Sequence, residues 1–318
     1  MENKRPLVIL AGPTAVGKTS VSVELAKALN GECVSADSVQ VYKGLDIGSA
    51  KVTEAEMQGI PHHLIDVIDP SVNYDVSVFQ KMAAEALERI YEKGKLPILV
   101  GGTGFYIQAL LYGIDFSEEP DEKQQVIRQQ LEKEALEEGG PDRLYTRLQA
   151  VDPLSTEKIH AHNVRRVIRA LEYYMLHGKP ISAHNAEERQ RPPVYDAAFF
   201  VLTDDREKLY QRIDSRVDAM LSAGLLDEVK WLRDLGLSPE HTSLQGIGYK
   251  EMLQYLNGEC TLPEAVEAIK KHSRNYAKRQ LTWFRREAAA EWIDISEFNY
   301  EKDEIVKWII RKCTARWA

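Results

Sequence analysis

The chain has 318 residues, a length that allows two or three domains, or one domain with an insertion. Its composition, 44% hydrophobic and 28% charged, is that of a globular protein, and the net charge of −8 gives no global sign of nucleic-acid binding, so any basic surface has to be local. No segment approaches the length of a membrane span, and Cys33, Cys260 and Cys313 lack the spacing of a zinc site or a disulfide framework. We therefore expect a cytoplasmic protein with no membrane partner.

The first predicted strand, Leu7–Ala11, leads into a glycine loop of the form G-x-x-x-x-G-K-T, and a helix is predicted after it at Thr19–Leu29. This order of strand, loop and helix is the context in which the motif binds phosphate. Loop N–H groups and the helix N-terminus attract an anion, Lys18 adds a full charge, and the Thr19 hydroxyl can bind Mg²⁺. The sequence therefore predicts a phosphate or diphosphate site, without specifying which. The loop consists of Gly12, Pro13, Thr14, Ala15, Val16, Gly17, Lys18 and Thr19.

Asp37 follows the second predicted strand, Cys33–Ala36. Ligands of open α/β sheets lie at the carboxyl ends of the strands, so this carboxylate is expected beside whatever the glycine loop holds. It could accept a proton from a nucleophile that attacks a phosphorylated ligand. A helix N-cap and an outer ligand of magnesium are the alternatives.

Short apolar runs alternate with helical patterns along most of the chain. This alternation predicts an α/β fold with a parallel sheet of the P-loop type, covered by helices on both faces. The strand before Gly101-Gly102-Thr103-Gly104 ends without an acid, and Asp204 and Asp205 are interpreted as helix caps. The metal-side carboxylate of P-loop ATPases is therefore missing, which disfavours ATP hydrolysis. The other predicted elements are strands His63–Val67, Pro97–Val100, Ala198–Leu202 and Trp292–Ile295 and helices Val78–Glu92 and Gly104–Tyr112.

Residues 115–191 contain no convincing strand and form charged helices such as Glu122–Glu138. We therefore predict an all-helical insertion at 115–191, within an α/β core made of residues 1–114 and 192–318. A single continuous domain with many covering helices is the alternative.

Two predicted helices carry clustered basic residues in this acidic protein. Asn163 can cap the first, in which Arg165, Arg166 and Arg169 lie off the apolar face. The second lies near Ala265–Arg286, and basic side chains recur along it at helical spacing. Such faces are often only solvated, and the alternative is contact with an anionic macromolecule. The basic residues of the second helix are Lys270, Lys271, Arg274, Lys278, Arg279, Arg285 and Arg286.

Arg212 and Arg216 lie one helical turn apart, after the predicted strand Ala198–Leu202. Such a pair could clamp a diphosphate. An ordinary exposed helix, with Asp214 and Asp218 as ion-pair partners, is the alternative.

In this order and spacing the motifs resemble the tRNA dimethylallyltransferases, the tRNA isopentenyltransferase family of bacteria, over nearly the whole chain. The glycine loop alone is shared with many proteins, and the other motifs make the resemblance specific. Ser49 stands where the family usually has threonine, which keeps a hydroxyl. The motifs are Gly12–Thr19, Asp37–Lys51, Pro61–Asp66, Gly101–Tyr106, Asn163–Glu172, Gly246–Glu251 and Tyr276–Arg285.

The resemblance implies transfer of a dimethylallyl group from dimethylallyl diphosphate to N6 of the adenosine immediately 3′ of the anticodon. The acceptors would be tRNAs that read codons beginning with U. Diphosphate would be released, with Mg²⁺ as the assisting ion, so the glycine loop would hold an allylic diphosphate and not ATP. The target base would leave the anticodon-loop stack, and the helical insertion would grip the anticodon stem-loop. We expect a monomer.

The resemblance also implies roles for single residues. Asp37 would bind N6 and act as the base, and Thr14 would lie near the transferring group. Lys18, Thr19 and Arg216 would hold the diphosphate and stabilise its departing charge, with Thr19 as the metal ligand. A core position remains the alternative for Trp283. The tRNA side would be formed by Asp37, Ser38, Val39, Gln40, Thr103, Arg165, Arg166, Arg169, Gly246, Ile247, Gly248, Tyr249, Lys250, Lys278, Arg279, Gln280, Trp283 and Arg285.

Three rival functions stay open. A small-molecule kinase would explain the glycine loop and Asp37, but not the basic helix near Ala265–Arg286. An isopentenyltransferase that acts on free adenine nucleotides would use the same chemistry and needs no such surface. A non-catalytic RNA-binding module would leave Lys18, Thr19 and Asp37 without a purpose.

Overall fold

The computed structural model describes residues 4–114, 116, 122–188 and 191–317. The chain folds as two compact units, Met1–Gly113 together with Pro193–Ala318, and Ile114–Pro192. Residue 115, where the insertion is predicted to begin, lies outside the described residues. Within the described ranges, none of the helices combines the length and the apolar character that a membrane span requires.

A parallel sheet forms the centre of the first unit. Its strands are β1 (Pro6–Ala11), β2 (Gly31–Ala36), β3 (His62–His63), β4 (Leu96–Gly101), β5 (Asp196–Thr203) and β6 (Glu291–Asp294). They lie in the order β3-β2-β4-β1-β5-β6, and every neighbouring pair is parallel. This order brings the carboxyl ends of β1, β2, β4 and β5 to one edge of the sheet, where ligands of such folds bind.

Helices account for most of the remaining chain. Short 3₁₀ helices occur at Thr242–Gln245 and Ile295–Phe298. The α-helices are α1 (Lys18–Ala28), α2 (Glu54–Met57), α3 (Val76–Glu92), α4 (Gly104–Tyr112), α5 (Glu122–Leu136), α6 (Gly140–Val151), α7 (Pro153–Thr156), α8 (Val164–His177), α9 (Ile181–Glu188), α10 (Arg206–Ser222), α11 (Leu225–Asp234), α12 (Tyr249–Leu256), α13 (Leu262–Phe284) and α14 (Lys302–Trp317).

Alternate residues of β1 pack on opposite faces of the sheet. Leu7, Ile9 and Ala11 join a core with residues of α3 and α13, whereas Val8 and Leu10 join a second core with residues of α1 and α14. All five side chains are fully buried. A strand buried on both faces must be apolar throughout, which explains the continuous apolar run in the sequence. The predicted parallel sheet with helices on both faces is confirmed.

The predicted strand His63–Val67 is wrong beyond its first residue. Only His62 and His63 pair with β2. Leu64 and Asp66 adopt left-handed backbone, with φ of 62° and 56°, which a continuing strand does not accommodate. The other predicted strands differ from the structure only at their ends.

The second unit is helical wherever the structure describes it, with α5 to α9 and no strand. Its hydrophobic core includes Leu131, Leu144, Leu148 and Leu171, which come from α5, α6 and α8. Asn163 occupies the N-cap position of α8, as the sequence suggests, but its side chain makes no capping hydrogen bond.

Candidate active site

The glycine loop after β1 wraps around the side chain of Lys18. Its Nζ donates hydrogen bonds to the carbonyl oxygens of Gly12, at 2.9 Å, and Pro13, at 2.7 Å. Gly12 and Gly17 have φ of 149° and 97°, values that L side chains rarely adopt, so the curvature of the loop depends on glycine. Burial, followed by the nearby Arg216, lowers the pKa of Lys18 to about 7. An incoming anion would therefore both bind and recharge this side chain.

Asp37 directly follows β2, and its carboxylate is fixed by the turn that comes next. Its Oδ1 accepts hydrogen bonds from the backbone N–H of Val39, at 2.8 Å, and of Gln40, at 3.1 Å. Across the described ranges, no group donates to Oδ2. One oxygen therefore orients the side chain, while the other is available to accept a proton.

A cavity of about 320 Å³ opens beside these residues, at the carboxyl edge of the sheet. Thr14, Asp37, Arg216 and Tyr276 supply polar groups to its wall. Another part of the wall is apolar, so a ligand with a charged head and a short hydrocarbon tail suits the cavity. The apolar part is formed by Ile213, Val217, Met220, Ile247 and Ile269.

Arg212 and Arg216 do not act as a pair. Arg216 lines the cavity and donates from Nη2 to the carbonyl of Ala50 at 3.3 Å. Burial lowers the pKa of Arg216, and the charges of Asp37 and Glu56 oppose that effect.

Arg212 instead forms an ion pair with Asp204, whose side chain is fully buried. Asp204 also accepts a hydrogen bond from the Tyr300 hydroxyl at 3.1 Å. Its interpretation as a helix cap is therefore wrong, because a buried carboxylate needs these partners. Asp205 does cap α10, accepting from the N–H groups of Glu207, at 2.9 Å, and Lys208, at 3.1 Å.

The second glycine cluster, Gly101-Gly102-Thr103-Gly104, lies tightly against α13. A Cβ at Gly102 would lie 2.0 Å from Nε2 of Gln280, and one at Gly104 would lie 2.1 Å from Cδ1 of Trp283. Gln280 and Trp283 thus pack on the sheet side of α13, and Gln280 is only 5% exposed. Glycine is therefore required at these positions by close packing against α13.

The opposite side of α13 is basic and open. Lys278, Arg279 and Arg285 are exposed, and Arg279 lies over the ring of Tyr276 at 5.6 Å and reaches the cavity rim. Arg274 is different, because its guanidinium is held by Asp214 at 2.6 Å. Lys278, Arg279 and Arg285 are therefore available to an anionic partner, and Lys271 and Arg286 are exposed as well.

Segment 246–250 is divided between cavity and core. Gly246 and Ile247 line the cavity, Gly248 and Tyr249 are buried, and Lys250 is exposed. Ser38, Val39 and Thr14 also line the cavity, whereas Gln40 uses its amide to hold the carbonyls of Ser49 and Ala50.

Comparison with known proteins decides the family. A model described as IPP transferase matches residues 40–287. The chain belongs to the IPP transferase family.

Similar proteins extend the match to nearly the whole chain. A tRNA dimethylallyltransferase of Lachnoclostridium phytofermentans is 50% identical over 311 residues, covering 97% of this chain and 98% of that one. The crystal structure of the full-length tRNA isopentenylpyrophosphate transferase from Bacillus halodurans is 45% identical, with a TM-score of 0.73 and 98% of each chain covered. The structure of a eukaryotic dimethylallyltransferase acting on tRNA is 35% identical in sequence, with a TM-score of 0.76. The match covers 91% of this chain and 74% of that one. The predicted family, the P-loop-type fold and the enzyme class, a prenyltransferase, are confirmed.

Few side chains of the described residues are placed to bind the predicted Mg²⁺ ion. Thr19 lies half-buried in the first turn of α1. Across the described ranges, no three His, Cys, Asp or Glu side chains are grouped to hold a metal. Mg²⁺ usually takes one or two protein ligands and completes its shell with phosphate oxygens and water, so a lone Thr19 hydroxyl beside a diphosphate fits this ion.

The arginines predicted to meet RNA from the insertion lie on one helix of the second unit. Arg165, Arg166 and Arg169 are exposed on α8, whose buried residues include Val167 and Leu171. They therefore form a basic face directed to solvent.

Several residues of the cavity wall, including most of its apolar part, are not predicted as site residues from the sequence, and two further groups of them are small or aromatic. Gly48, Ser49 and Ala50 line the cavity, and so does Tyr276. Their signal was present, since both groups fall inside motifs shared with the family, but nothing in the local pattern assigns such small or aromatic residues to a cavity wall.

Proposed function

We propose that this family member transfers a dimethylallyl group from dimethylallyl diphosphate to N6 of the adenosine 3′ to the anticodon in tRNAs that read U-starting codons. The observation that carries the proposal is the cavity in which Asp37, Thr14 and Arg216 meet at the mouth of the glycine loop, next to an apolar wall. The names of the similar proteins supply the substrate class, tRNA.

The reaction is a displacement at C1 of the allylic group. The adenine N6 forms a bond to C1 as the C1–O bond breaks, and diphosphate leaves with the electron pair of that bond. N6 loses one proton, which Asp37 accepts at Oδ2. The hydrogen bonds that Oδ1 receives from Val39 and Gln40 keep this base in place during the transfer.

Negative charge builds up on the diphosphate as it leaves, and the glycine loop, Lys18 and Arg216 are placed to stabilise this charge. Loop N–H groups, Lys18 and Arg216 surround the expected position of the leaving group. We infer that Thr19 holds a Mg²⁺ ion, which when bound would neutralise part of the diphosphate charge. Lys18 would exchange its bonds to Gly12 and Pro13 for phosphate oxygens, and its pKa of about 7 would rise as it does so.

The acceptor side rests on the exposed basic residues. Lys278, Arg279 and Arg285 on α13 would contact the phosphates of the anticodon stem-loop, and Arg165, Arg166 and Arg169 would contact RNA from the insertion. Target adenosine would have to leave the stack to reach Asp37. We propose a monomeric enzyme, and tRNA as acceptor suggests that it works in the cytoplasm.

The proposal is tested by offering separate donors and acceptors. The protein would be incubated with dimethylallyl diphosphate, Mg²⁺ and unmodified tRNA bearing adenosine 3′ of the anticodon, with AMP as a parallel acceptor and ATP as a parallel donor. Mass spectrometry of the digested tRNA should reveal a dimethylallyl gain on that adenosine and none on AMP. Gain on AMP alone would indicate a nucleotide prenyltransferase, and ATP consumption without either gain would indicate a kinase.

A further inference from the structure

Glu228, on α11, accepts hydrogen bonds from three successive backbone N–H groups. Its Oε2 accepts from Asp46 at 2.8 Å and Ile47 at 2.7 Å, and its Oε1 accepts from Gly48 at 2.9 Å. Converging N–H groups of this kind form a concave site for an anion. Here the anion is a carboxylate of the same chain, so Glu228 fixes the backbone of segment 46–48.

Tyr249 completes the contact from the other side. Its hydroxyl donates to Oε1 of Glu228 at 2.8 Å, and the side chain is fully buried. The ring packs so closely on Gly48 that a Cβ there would lie 2.5 Å from Cζ. Glu228 and Tyr249 therefore hold the backbone of residues 46–48 in a single position.

The held segment runs directly into the cavity wall. Gly48, Ser49 and Ala50 line the cavity. The carbonyl of Ala50 accepts from Nη2 of Arg216 at 3.3 Å and from Nε2 of Gln40 at 3.1 Å. A carboxylate outside the cavity is thus connected, through a short length of backbone, to the carbonyl that orients the cation inside it.

We propose that Glu228 is a positioning residue of the transfer reaction, which sets the place of Arg216 through segment 46–50. The proposal rests on the proposed function, because Arg216 is assigned there to the departing diphosphate. Glu228 does not line the cavity and acts only through the segment. Its loss should slow the release of diphosphate from C1 and leave tRNA binding intact.

Two variants disturb this contact in independent ways. Glu228→Gln keeps the shape of the side chain but replaces one of its two acceptor oxygens with an amide NH₂, which cannot accept from the converging N–H groups. Gly48→Ala displaces the same segment through the ring of Tyr249 and leaves Glu228 unchanged. Asp227→Asn is the matched control, since Asp227 is the adjacent carboxylate and pairs with Lys230 at 2.9 Å on the surface.

Hydrogen–deuterium exchange of the peptide covering residues 44–52 and steady-state kinetics would be measured on the full-length variants. In Glu228→Gln and Gly48→Ala we expect faster exchange at residues 46–48 and a kcat lower by at least about tenfold, the effect of a slightly misplaced group. The tRNA Kd should stay within about twofold of wild type, because phosphate contacts to α13 are untouched. Asp227→Asn should match the wild-type protein in all three measurements.

If hydrogen–deuterium exchange of residues 46–48 is unchanged in both variants, Glu228 does not hold this segment and the proposal is wrong. If exchange is faster but kcat stays at the wild-type value, Glu228 only stabilises the segment and has no positioning role in the reaction. If Glu228→Gln fails to fold, Gly48→Ala decides the matter. A wild-type protein that does not transfer the dimethylallyl group would overturn the proposed function instead, and the positioning role with it. The exchange rates need no turnover and keep these two failures distinguishable.

Discussion

The backbone N–H of Thr14 donates a hydrogen bond of 3.0 Å to Oε1 of Gln280, although the two residues are 266 positions apart in the chain. Nε2 of the same side chain donates to the carbonyl of Gly102, also at 3.0 Å. One buried amide therefore joins both glycine loops to α13. The helix that carries the exposed Lys278 and Arg279 is thus tied directly to the loop that would hold the diphosphate.

We predict that Gln280→Leu weakens donor binding more than tRNA binding. The substitution leaves the Thr14 N–H and the Gly102 carbonyl without their partner, at a cost of about 1–3 kcal/mol for each buried group. The Kd for dimethylallyl diphosphate should rise at least tenfold by calorimetry, roughly 1.4 kcal/mol, with the tRNA Kd nearly unchanged. Equal losses for the two substrates would argue that Gln280 supports the RNA face instead.

The variant Asp37→Asn distinguishes the proposed role of Asp37 as a base from its role in holding the turn. Asparagine keeps an oxygen that can accept from Val39 and Gln40, so the fold of the turn is preserved, but it accepts no proton. We expect kcat to fall about 10²- to 10⁴-fold, the usual range for a general base. The tRNA Kd should remain near wild type in a filter-binding assay.

Asp75→Asn is the control for this variant, because Asp75 is also a carboxylate that accepts from two backbone N–H groups, those of Ser77 and Val78, and it does not line the cavity. It should keep nearly full turnover. A similar fall in kcat and in tRNA affinity for Asp37→Asn would count against the base role.

Lys18 should make diphosphate binding proton-coupled. In the free protein its pKa is lowered to about 7, so at pH 8 the side chain is mostly neutral, and it becomes charged again when an anion binds. Binding of inorganic diphosphate at pH 8 should therefore take up more protons in the wild type than in Lys18→Gln, and affinity should decline as pH rises above 7.

Calorimetry in two buffers of different ionisation enthalpy measures the proton uptake, and the difference between the two proteins isolates Lys18 from the titration of diphosphate itself. At pH 6 Lys18 is already protonated, so the difference should vanish. The same proton count for both proteins at pH 8 would contradict the lowered pKa.

Arg216→Gln and Arg212→Gln should fail in different ways. Arg216 lines the cavity, so its loss should lower kcat by about 10²-fold with little change in Tm, because a cation is removed from the developing charge. Arg212→Gln leaves the buried Asp204 without its cation, which should cost about 1–2 kcal/mol of unfolding free energy after allowance for the partial exposure of Arg212.

Thermal unfolding and single-turnover kinetics on both variants distinguish the two roles. If Arg212→Gln lowers the rate of transfer without lowering Tm, the prediction that Arg212 and Arg216 together bind the diphosphate would be supported after all.

Lys278→Gln combined with Arg279→Gln should weaken tRNA binding and flatten its salt dependence. Each phosphate contact that is lost lowers the slope of log K against log salt by about 0.9 on a duplex, or about 0.7 on a single strand. Arg274→Gln is the matched control, since Asp214 and Glu267 already hold its guanidinium. An unchanged slope in the double variant would remove both residues from the RNA face.

The sequence predicts the positions of Lys18 and Asp37, because Asp37 directly follows β2 and Lys18 stands at the end of the glycine loop that follows β1. The carboxyl edge of a parallel sheet brings such segments together. Asp204 was misinterpreted because its partners, Arg212 and Tyr300, are contacts that a local pattern does not contain. The strand prediction is wrong at Leu64 for a related reason. Leu64 is buried in the core, but its left-handed backbone, with φ of 62°, is not visible in a local run of apolar residues.

Strand β1 pairs with β4 on one side and with β5 on the other, and Pro6 lies opposite Asp196. A Cβ at Gly12 would lie 2.6 Å from the carbonyl oxygen of Leu202, so the glycine loop is shaped partly by β5. During synthesis, the edge of β1 that pairs with β5 therefore stays unpaired until the ribosome has synthesised the whole insertion and β5. Pairing over such a separation is slow and leaves an edge exposed to other chains. The glycine loop is therefore among the first segments to be synthesised, but its final shape depends on a strand that is synthesised about 190 residues later.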